Sequence, residues 1–568
     1  MSRSAGHLIV DTLAAHGVER VYVVPGESYL DVLDGLHDAA IRTVVCRQEG
    51  GAGFMALAEG RLTGRPGIAM VTRGPGAANA MIAVHTAWQD ATAMVLMVGL
   101  IPHRDRGQES FQEFSLDGWF GTTAKGVLTV EVAERAGEVV AQAMHLAASG
   151  RPGPVVVGLP EDVLIQLTEA PTPAPRPVAR PSVDADQLER IGRLIAAARR
   201  PLLVAGGDGW HGSTGAELAA LAEAAGLPVA ADWRAYDAVP NSSPAYAGWL
   251  GYGRADTLAS RLSEADLLVF VGCGRSDVLS EGYTAGFEPT TVVAMPDPQA
   301  LMHHGRVDEL VVAGPATAVD ALRRLGADRL RGARGDEWMR LLAEDQRRFR
   351  RTGPEHPAQG VDLGVAFEVL AELLPADRVC TYGAGNATLW GHRHLVHEAP
   401  NSLVGARNGA MGLAVPAAVA ASLVHPDRTV VAICGDGDFL MNGQELSVAI
   451  AEGAAPVVIV VDNGRYGTIV THQQREYPGR VSGTDLVNPD FGAFMRSFGG
   501  FGERVETTDG VRGAVERALA SGTAALVHLV VDRETMPAST ANAAEAAGTV
   551  TPAGTAGTAA SAFAGARS

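Results

Sequence analysis

Short apolar runs alternate with segments of helical period along most of the chain. From the start, Ala5 to His16 carries apolar positions at helical spacing, Val21-Tyr22-Val23-Val24 is continuously apolar, and Pro25-Gly26-Glu27 turns into a helical stretch ending at His37. Thr43 to Cys46, Gly67 to Thr72, Met94 to Val98 and Val155 to Gly158 read as further strands, with helices over Gly50 to Thr63 and Gly74 to Trp88. Strands without polar alternation, separated by helices, predict a parallel sheet covered on both faces. This rhythm fills residues 1–170 and stops at a proline-rich stretch, 171–182, which predicts an exposed linker. It resumes over 183–335, with strands at Pro201–Ala205, Val229–Ala231, Leu267–Val271 and Thr291–Ala294. Charged helical sequence and a polar loop form a connecting segment, 336–360, before a third such region over 361–535. Residues 536–568 are mostly Ala, Gly, Thr and Ser; so few large apolar groups cannot offset ordering entropy, and the reading is a disordered tail. The expected architecture is α/β, with three doubly wound parallel-sheet domains.

Composition narrows the function without changing that picture. A chain of 568 residues exceeds one hydrophobic core, and 47% hydrophobic with 19% charged residues is ordinary globular material. A net charge of −18 with no basic cluster argues against a nucleic-acid partner. No apolar run is long enough for a membrane span, and the amino-terminal stretch lacks the basic flank and cleavage pattern of a secretory signal, so a cytoplasmic location is expected. Cys46, Cys273, Cys380 and Cys434 are far apart with no CxxC pair, and read as small core residues.

The most informative stretch is Gly435 to Asn463, GDGDFLMNGQELSVAIAEGAAPVVIVVDN. An apolar strand, Thr429 to Cys434, stops at Gly435-Asp436-Gly437; a helix is expected over Gln444 to Ala451, and Pro456 to Val461 is a second strand. Asp436 and Asn463 then close two parallel strands at one sheet edge, where α/β folds place ligands. A carboxylate, an amide oxygen and backbone carbonyls suit Mg²⁺, with phosphate oxygens completing the shell. The flanking glycines let backbone N–H groups approach a phosphate at a helix start. GDG followed, after the twenty-five residues 438–462, by Asn resembles the thiamine diphosphate motif. That resemblance implies Asp436, Asn463 and the carbonyl of Arg465 as Mg²⁺ ligands, with Gly435, Gly437, Asp438, Tyr466 and Gly467 around the cofactor.

Residues 5–535 are similar to the acetolactate synthase-like branch of thiamine diphosphate enzymes, through Val24-Pro25-Gly26-Glu27, Arg47 to Met55, Leu62 to Gly67, Thr72 to Gly76, Phe111-Gln112-Glu113 and the third region. Alone, Glu49 is a carboxylate at a helix start, which commonly just satisfies the helix dipole. The resemblance makes it the acid that shares a proton with N1′ of the cofactor's aminopyrimidine, a task that suits a half-buried carboxyl. It also implies that Met411 lies under the cofactor, that the Gly409 carbonyl meets its amino group, and that Gly385 and Asn386 reach the diphosphate. Tyr382 stands where Asp is usual. In that family first and third domains of different subunits meet, which implies a homodimer or homotetramer.

The implied reaction is decarboxylation of a 2-oxo acid, pyruvate, followed by carboligation to a second carbonyl compound. Where simple decarboxylases carry a histidine pair, this chain has Gln108 to Gln112, which favours ligation; a non-ligating decarboxylase or C–C lyase is the alternative within enzymes, and a catalytically silent cofactor-binding scaffold the alternative outside them. Phe111, Gln112 and Lys125 match substrate-channel positions, and His472 stands where a selective Trp is found in related synthases. The adjacent pair His303-His304 reads as solvent-facing. FAD is an unfavoured second cofactor: Gly206-Gly207-Asp208-Gly209 and Gly272-Cys273-Gly274-Arg275 lack the accompanying acidic run, and strand-end glycines more often make tight turns.

Overall fold

The computed structural model describes residues 2–300, 303–351, 357 and 359–535; the stretch read as a disordered tail, 536–568, lies outside them. Three six-stranded sheets, parallel throughout, organise the chain. In the first, β1 (Arg20–Val23), β2 (Arg42–Val45), β3 (Gly67–Val71), β4 (Met94–Leu100), β5 (Gly126–Thr129) and β6 (Pro154–Pro160) lie in the order β2-β1-β3-β4-β6-β5. Strands β3, β4 and β6 are buried along their whole length, as their unbroken apolar sequences require. The strand at 126–129 has no counterpart in the sequence reading, because a short, half-buried edge strand carries little pattern.

Helix α1 (Glu49–Thr63) follows β2, beginning one residue earlier than expected; Gln48 Oε1 caps it by accepting from the Gly51 N–H at 3.0 Å. It is buried on every side from Gly50 to Leu62, so it runs inside the molecule. One neighbour is α2 (Pro75–Asp90), approached so closely that a Cβ at Gly53 would lie 2.4 Å from Ala83 Cβ.

The central sheet contains β7 (Pro201–Ala205), β8 (Val229–Asp232), β9 (Tyr246–Leu250), β10 (Leu267–Val271), β11 (Thr290–Met295) and β12 (Glu309–Val312), ordered β9-β8-β7-β10-β11-β12. Strands β9 and β12 were missed in the sequence: Gly248, at φ +99°, interrupts the first and the second is a short edge strand.

The third sheet repeats the order of the first. It contains β13 (Val379–Tyr382), β14 (Leu403–Gly405), β15 (Val430–Gly435), β16 (Val457–Asp462), β17 (Phe501–Val505) and β18 (Ala525–Val530), ordered β14-β13-β15-β16-β18-β17. Helices α3 (Asn386–His394) and α4 (Ala414–Val424) precede β15. Instead of one helix over 444–451, two short helices follow β15. The first, α5 (Asp436–Asn442), starts at once; a 3₁₀ turn at Gly443–Glu445 interrupts, and α6 (Leu446–Glu452) ends at Gly453 with φ +67°. Gly443 weakens the helix there, and its bare Cα accommodates the Phe439 ring, which a Cβ would approach to 2.7 Å. Helix α7 (Gly467–Glu476) comes just after β16.

Packing of α1 on α4 joins the first and third domains in one apolar core running from Val44 and Met55 to Ala417 and Val460. A second core joins the central and third domains. All four cysteines are free and buried. Among the described residues no helix is long and apolar enough to cross a membrane.

Candidate active site

Parallel pairing of β15 with β16 sets Gly435 opposite Val461, so Asp436 and Asp462-Asn463 leave the sheet side by side. Asn488 Nδ2 donates to Asp436 Oδ2 at 2.7 Å and to Asp462 Oδ1 at 2.8 Å, while His528 Nε2 lies 2.9 Å from Asp462 Oδ2. Burial and the neighbouring Asp462 charge raise the proton affinity of Asp436 above that of an ordinary carboxyl. Two crowded carboxylates at a strand edge fit a divalent cation. Among the described residues no three His, Cys, Asp or Glu side chains converge on a metal position, so a cation held here would need amide and carbonyl oxygens beside Asp436.

Asp438 ties the surrounding loops together. Its buried Oδ1 accepts from the Gly412 N–H at 2.8 Å and the Ala384 N–H at 3.3 Å, and Asn442 Nδ2 donates to the Gly412 carbonyl at 2.9 Å. Three loops read separately in the sequence thereby meet at α5: the one after β13, the one carrying Gly409 and Met411, and the GDG turn. Burial lifts the Asp438 carboxyl to about 6, and its buried Oδ2 has no hydrogen-bond partner among the described residues. Gly385, at φ +107°, opens α3, whose Asn386 accepts from Thr468 Oγ1 at 3.0 Å; a Cβ at Gly467 would lie 2.8 Å from Asn463 Nδ2. Asn386, Asn463 and Gly467 are thus brought together. Gly437 lies under Tyr466, whose ring a Cβ would approach to 2.4 Å. The Arg465 carbonyl already accepts from the Gly467 N–H at 2.8 Å and keeps one lone pair for a ligand. Tyr382, the last residue of β13, is fully buried and accepts from Tyr236 Oη at 3.0 Å, so its hydroxyl is turned to the central domain.

At the matching edge of the first sheet, Glu49 Oε2 accepts from Asn79 Nδ2 at 2.9 Å and Oε1 lies near Gly76. The ends of β1 and β3 are tied beside it by the buried Arg73, which donates to Glu27 at 2.7 Å and Glu161 at 2.9 Å. Gln112 packs against Gly74 with φ +64°, and Phe111 is exposed next to it, so both reach this edge. Lys125 does not. It precedes β5 at the opposite edge, and its ammonium donates to the carbonyls of Leu146 and Ser149 at a helix end, where a cation is favoured. His472 is exposed on α7, with its Nδ1 facing Arg475 at 3.1 Å. His303 departs from the solvent-facing expectation: it is half-buried and its Nδ1 accepts from the Arg275 N–H at 2.8 Å, whereas His304 is exposed. The central glycines serve chain packing, since a Cβ at Gly207 would lie 2.0 Å from the Gly272 carbonyl.

Asp462, Asn488, His528, Asn79 and Glu445 were not found from sequence. Asp462 was legible as a strand-end carboxylate beside Asn463; the others come from distant segments with no spacing rule.

Three parallel six-stranded sheets, two of them with the same strand order, define an α/β class. The chain matches the N-terminal TPP binding domain of thiamine pyrophosphate enzymes over residues 3–118, the central domain over 188–322 and the C-terminal TPP binding domain over 383–529. It belongs to that family. Within it, the chain is similar to the acetolactate synthase isozyme 2 large subunit of Escherichia coli K12, 29% identical over 92% of this chain and 95% of that protein. It is also similar to the acetolactate synthase large subunit of Corynebacterium glutamicum, 31% identical over 90% and 84%. Acetolactate synthase 1 of Zea mays is 29% identical over 94% and 86%.

Proposed function

We propose that this chain is a Mg²⁺-dependent thiamine diphosphate enzyme that decarboxylates pyruvate and joins the two-carbon fragment to a second carbonyl compound. The observation that supports it best is the strand-edge pair of Asp436 and Asn463, framed by loops that Asp438 gathers, in a chain similar over nine-tenths of its length to acetolactate synthases. Bound thiamine diphosphate supplies the nucleophilic carbon and the electron sink for loss of CO₂. Asp436, Asn463 and the Arg465 carbonyl would hold the Mg²⁺ that neutralises the diphosphate charge. Met411 and Gly409 lie on the loop that α5 anchors through Gly412, and they would contact the bound cofactor there. Glu49, with Oε2 committed to Asn79, offers Oε1 to share a proton with the pyrimidine N1′. Phe111 and Gln112 flank the substrate, and His472 lines the acceptor side. The working unit is a homodimer, alone or paired into a homotetramer, with the first domain of one subunit facing the third of its partner.

The test incubates the purified protein with pyruvate, thiamine diphosphate and Mg²⁺ and quantifies CO₂, acetaldehyde and acetolactate together. Cofactor-dependent acetolactate is expected. Acetaldehyde alone identifies a non-ligating decarboxylase, and tight cofactor binding with no turnover on a panel of 2-oxo acids identifies a silent scaffold.

A further inference from the structure

A carboxylate outside the site just described touches the segment that carries Glu49. Glu445, in the 3₁₀ turn between α5 and α6, is 0% exposed. Both of its oxygens lie 3.2 Å from the Arg47 N–H, and the Gln48 N–H also donates to it. These are the two residues before Glu49. The contact needs Gly51, because a Cβ there would lie 2.8 Å from Glu445 Oε1. Two further bonds fasten the same junction: Arg47 Nε donates to Ser447 Oγ at 3.1 Å, and Arg42 Nε donates to Glu452 Oε2 at 2.6 Å. The Gln48 side chain is occupied with the Gly51 N–H, so Glu445 is what takes up the backbone donors just ahead of α1. An uncharged apolar residue in its place leaves those N–H groups buried and unpaired.

We infer that Glu445 is a positioning residue for Glu49: it reaches from the third domain to fix the backbone at 47–48, and so sets the direction in which the Glu49 carboxyl leaves α1. The inference rests on the catalytic reading of Glu49. The charged and titratable groups facing Glu445 are Arg47, Glu49 and Cys46. Burial, the largest influence, lifts the Glu445 carboxyl to about 7, and the nearby Glu49 charge adds to this.

The test compares the full-length holoenzyme with Glu445→Ala, Glu445→Gln and Glu49→Gln. Amide hydrogen exchange of the peptide spanning 46–52 reads the contact directly and needs no turnover. Exchange there is expected to quicken by about tenfold in Glu445→Ala, and less in Glu445→Gln, which keeps one acceptor oxygen. With pyruvate, Glu445→Ala is expected to lower kcat about 10- to 100-fold with KM within about threefold. Glu445→Gln is expected to recover most of kcat while losing an ionisation near neutral pH from the profile. Unchanged exchange at 46–52 in a folded Glu445→Gln protein overturns the inference, as does a folded Glu445→Ala protein with unchanged kcat. If Glu49→Gln retains full turnover, the catalytic reading of Glu49 fails, and the inference built on it with it; if only the choice of pyruvate is wrong, the exchange comparison still decides.

Discussion

The first and third sheets share one strand order, and each gathers polar side chains at its carboxy-terminal edge, yet the two edges are held together differently. The first is closed by the ion pairs of Arg73 with Glu27 and Glu161 and by the bond from Asn79 to Glu49, so each carboxylate there meets a donor. The third is gathered by carboxylates accepting from backbone N–H groups, and it leaves Asp436 beside Asp462 with an amide donor from Asn488 shared between them. One edge is complete with its own side chains; the other keeps two carboxylates side by side, which a cation would balance under the proposed function. Under the proposed function, that difference fits separable duties, proton handling at Glu49 and cofactor retention at Asp436.

The strongest way to break that division is Asp436→Ala. Loss of the only carboxylate at the GDG turn is expected to cut cofactor-dependent turnover by about 10⁴-fold and to abolish Mg²⁺-dependent binding of thiamine diphosphate, measured by calorimetry. Glu49→Gln sharpens the same contrast from the other side: turnover is expected to fall by about 10²- to 10⁴-fold while the cofactor still binds. Equal losses of binding in both variants would refute the division of labour.

The contact between the edges gives a pH dependence. Glu445, at about 7 in the folded protein against 4.5 for an ordinary Glu, binds its proton more tightly folded than unfolded. Its contribution is therefore fully present below about pH 4.5 and is lost as pH rises through 7, amounting to about 3 kcal/mol. Denaturation midpoints between pH 5 and 8 are expected to show a flatter slope in Glu445→Gln than in the wild-type protein. The smallest effect is local. Gly437→Ala drives a methyl against the Tyr466 ring, and the protein without ligands is expected to lose about 1–3 kcal/mol of stability, read as a lower Tm, with a smaller further rise on adding thiamine diphosphate and Mg²⁺.

Much of this was legible in one dimension. Strands such as Val430–Gly435 and Val457–Asp462 are buried on both faces, so their sequences are apolar without alternation and announce themselves. The edge strands at 126–129 and 309–312 are partly exposed and announce nothing. The split of the helix after Asp436 was hidden because it arises from the Phe439 ring over Gly443 and from the Asn442 bond to Gly412, contacts that no local propensity encodes. Lys125 shows the opposite case: a position matched along the chain lies at the opposite sheet edge from Glu49, with its ammonium donating to helix carbonyls.

The sequence by itself determined the three-layered α/β rhythm, the parallel direction of the sheets and the pairing of Asp436 with Asn463, because periodicity, turn chemistry and the spacing of two strand ends are local properties. Only the tertiary structure decided that Asp438 gathers three loops, that Asn488 and His528 attend the two carboxylates, and that Glu445 reaches across to the segment of Glu49. Each of these is a bond between residues whose nearness depends on how sheets and helices pack, and packing is fixed by the whole core at once.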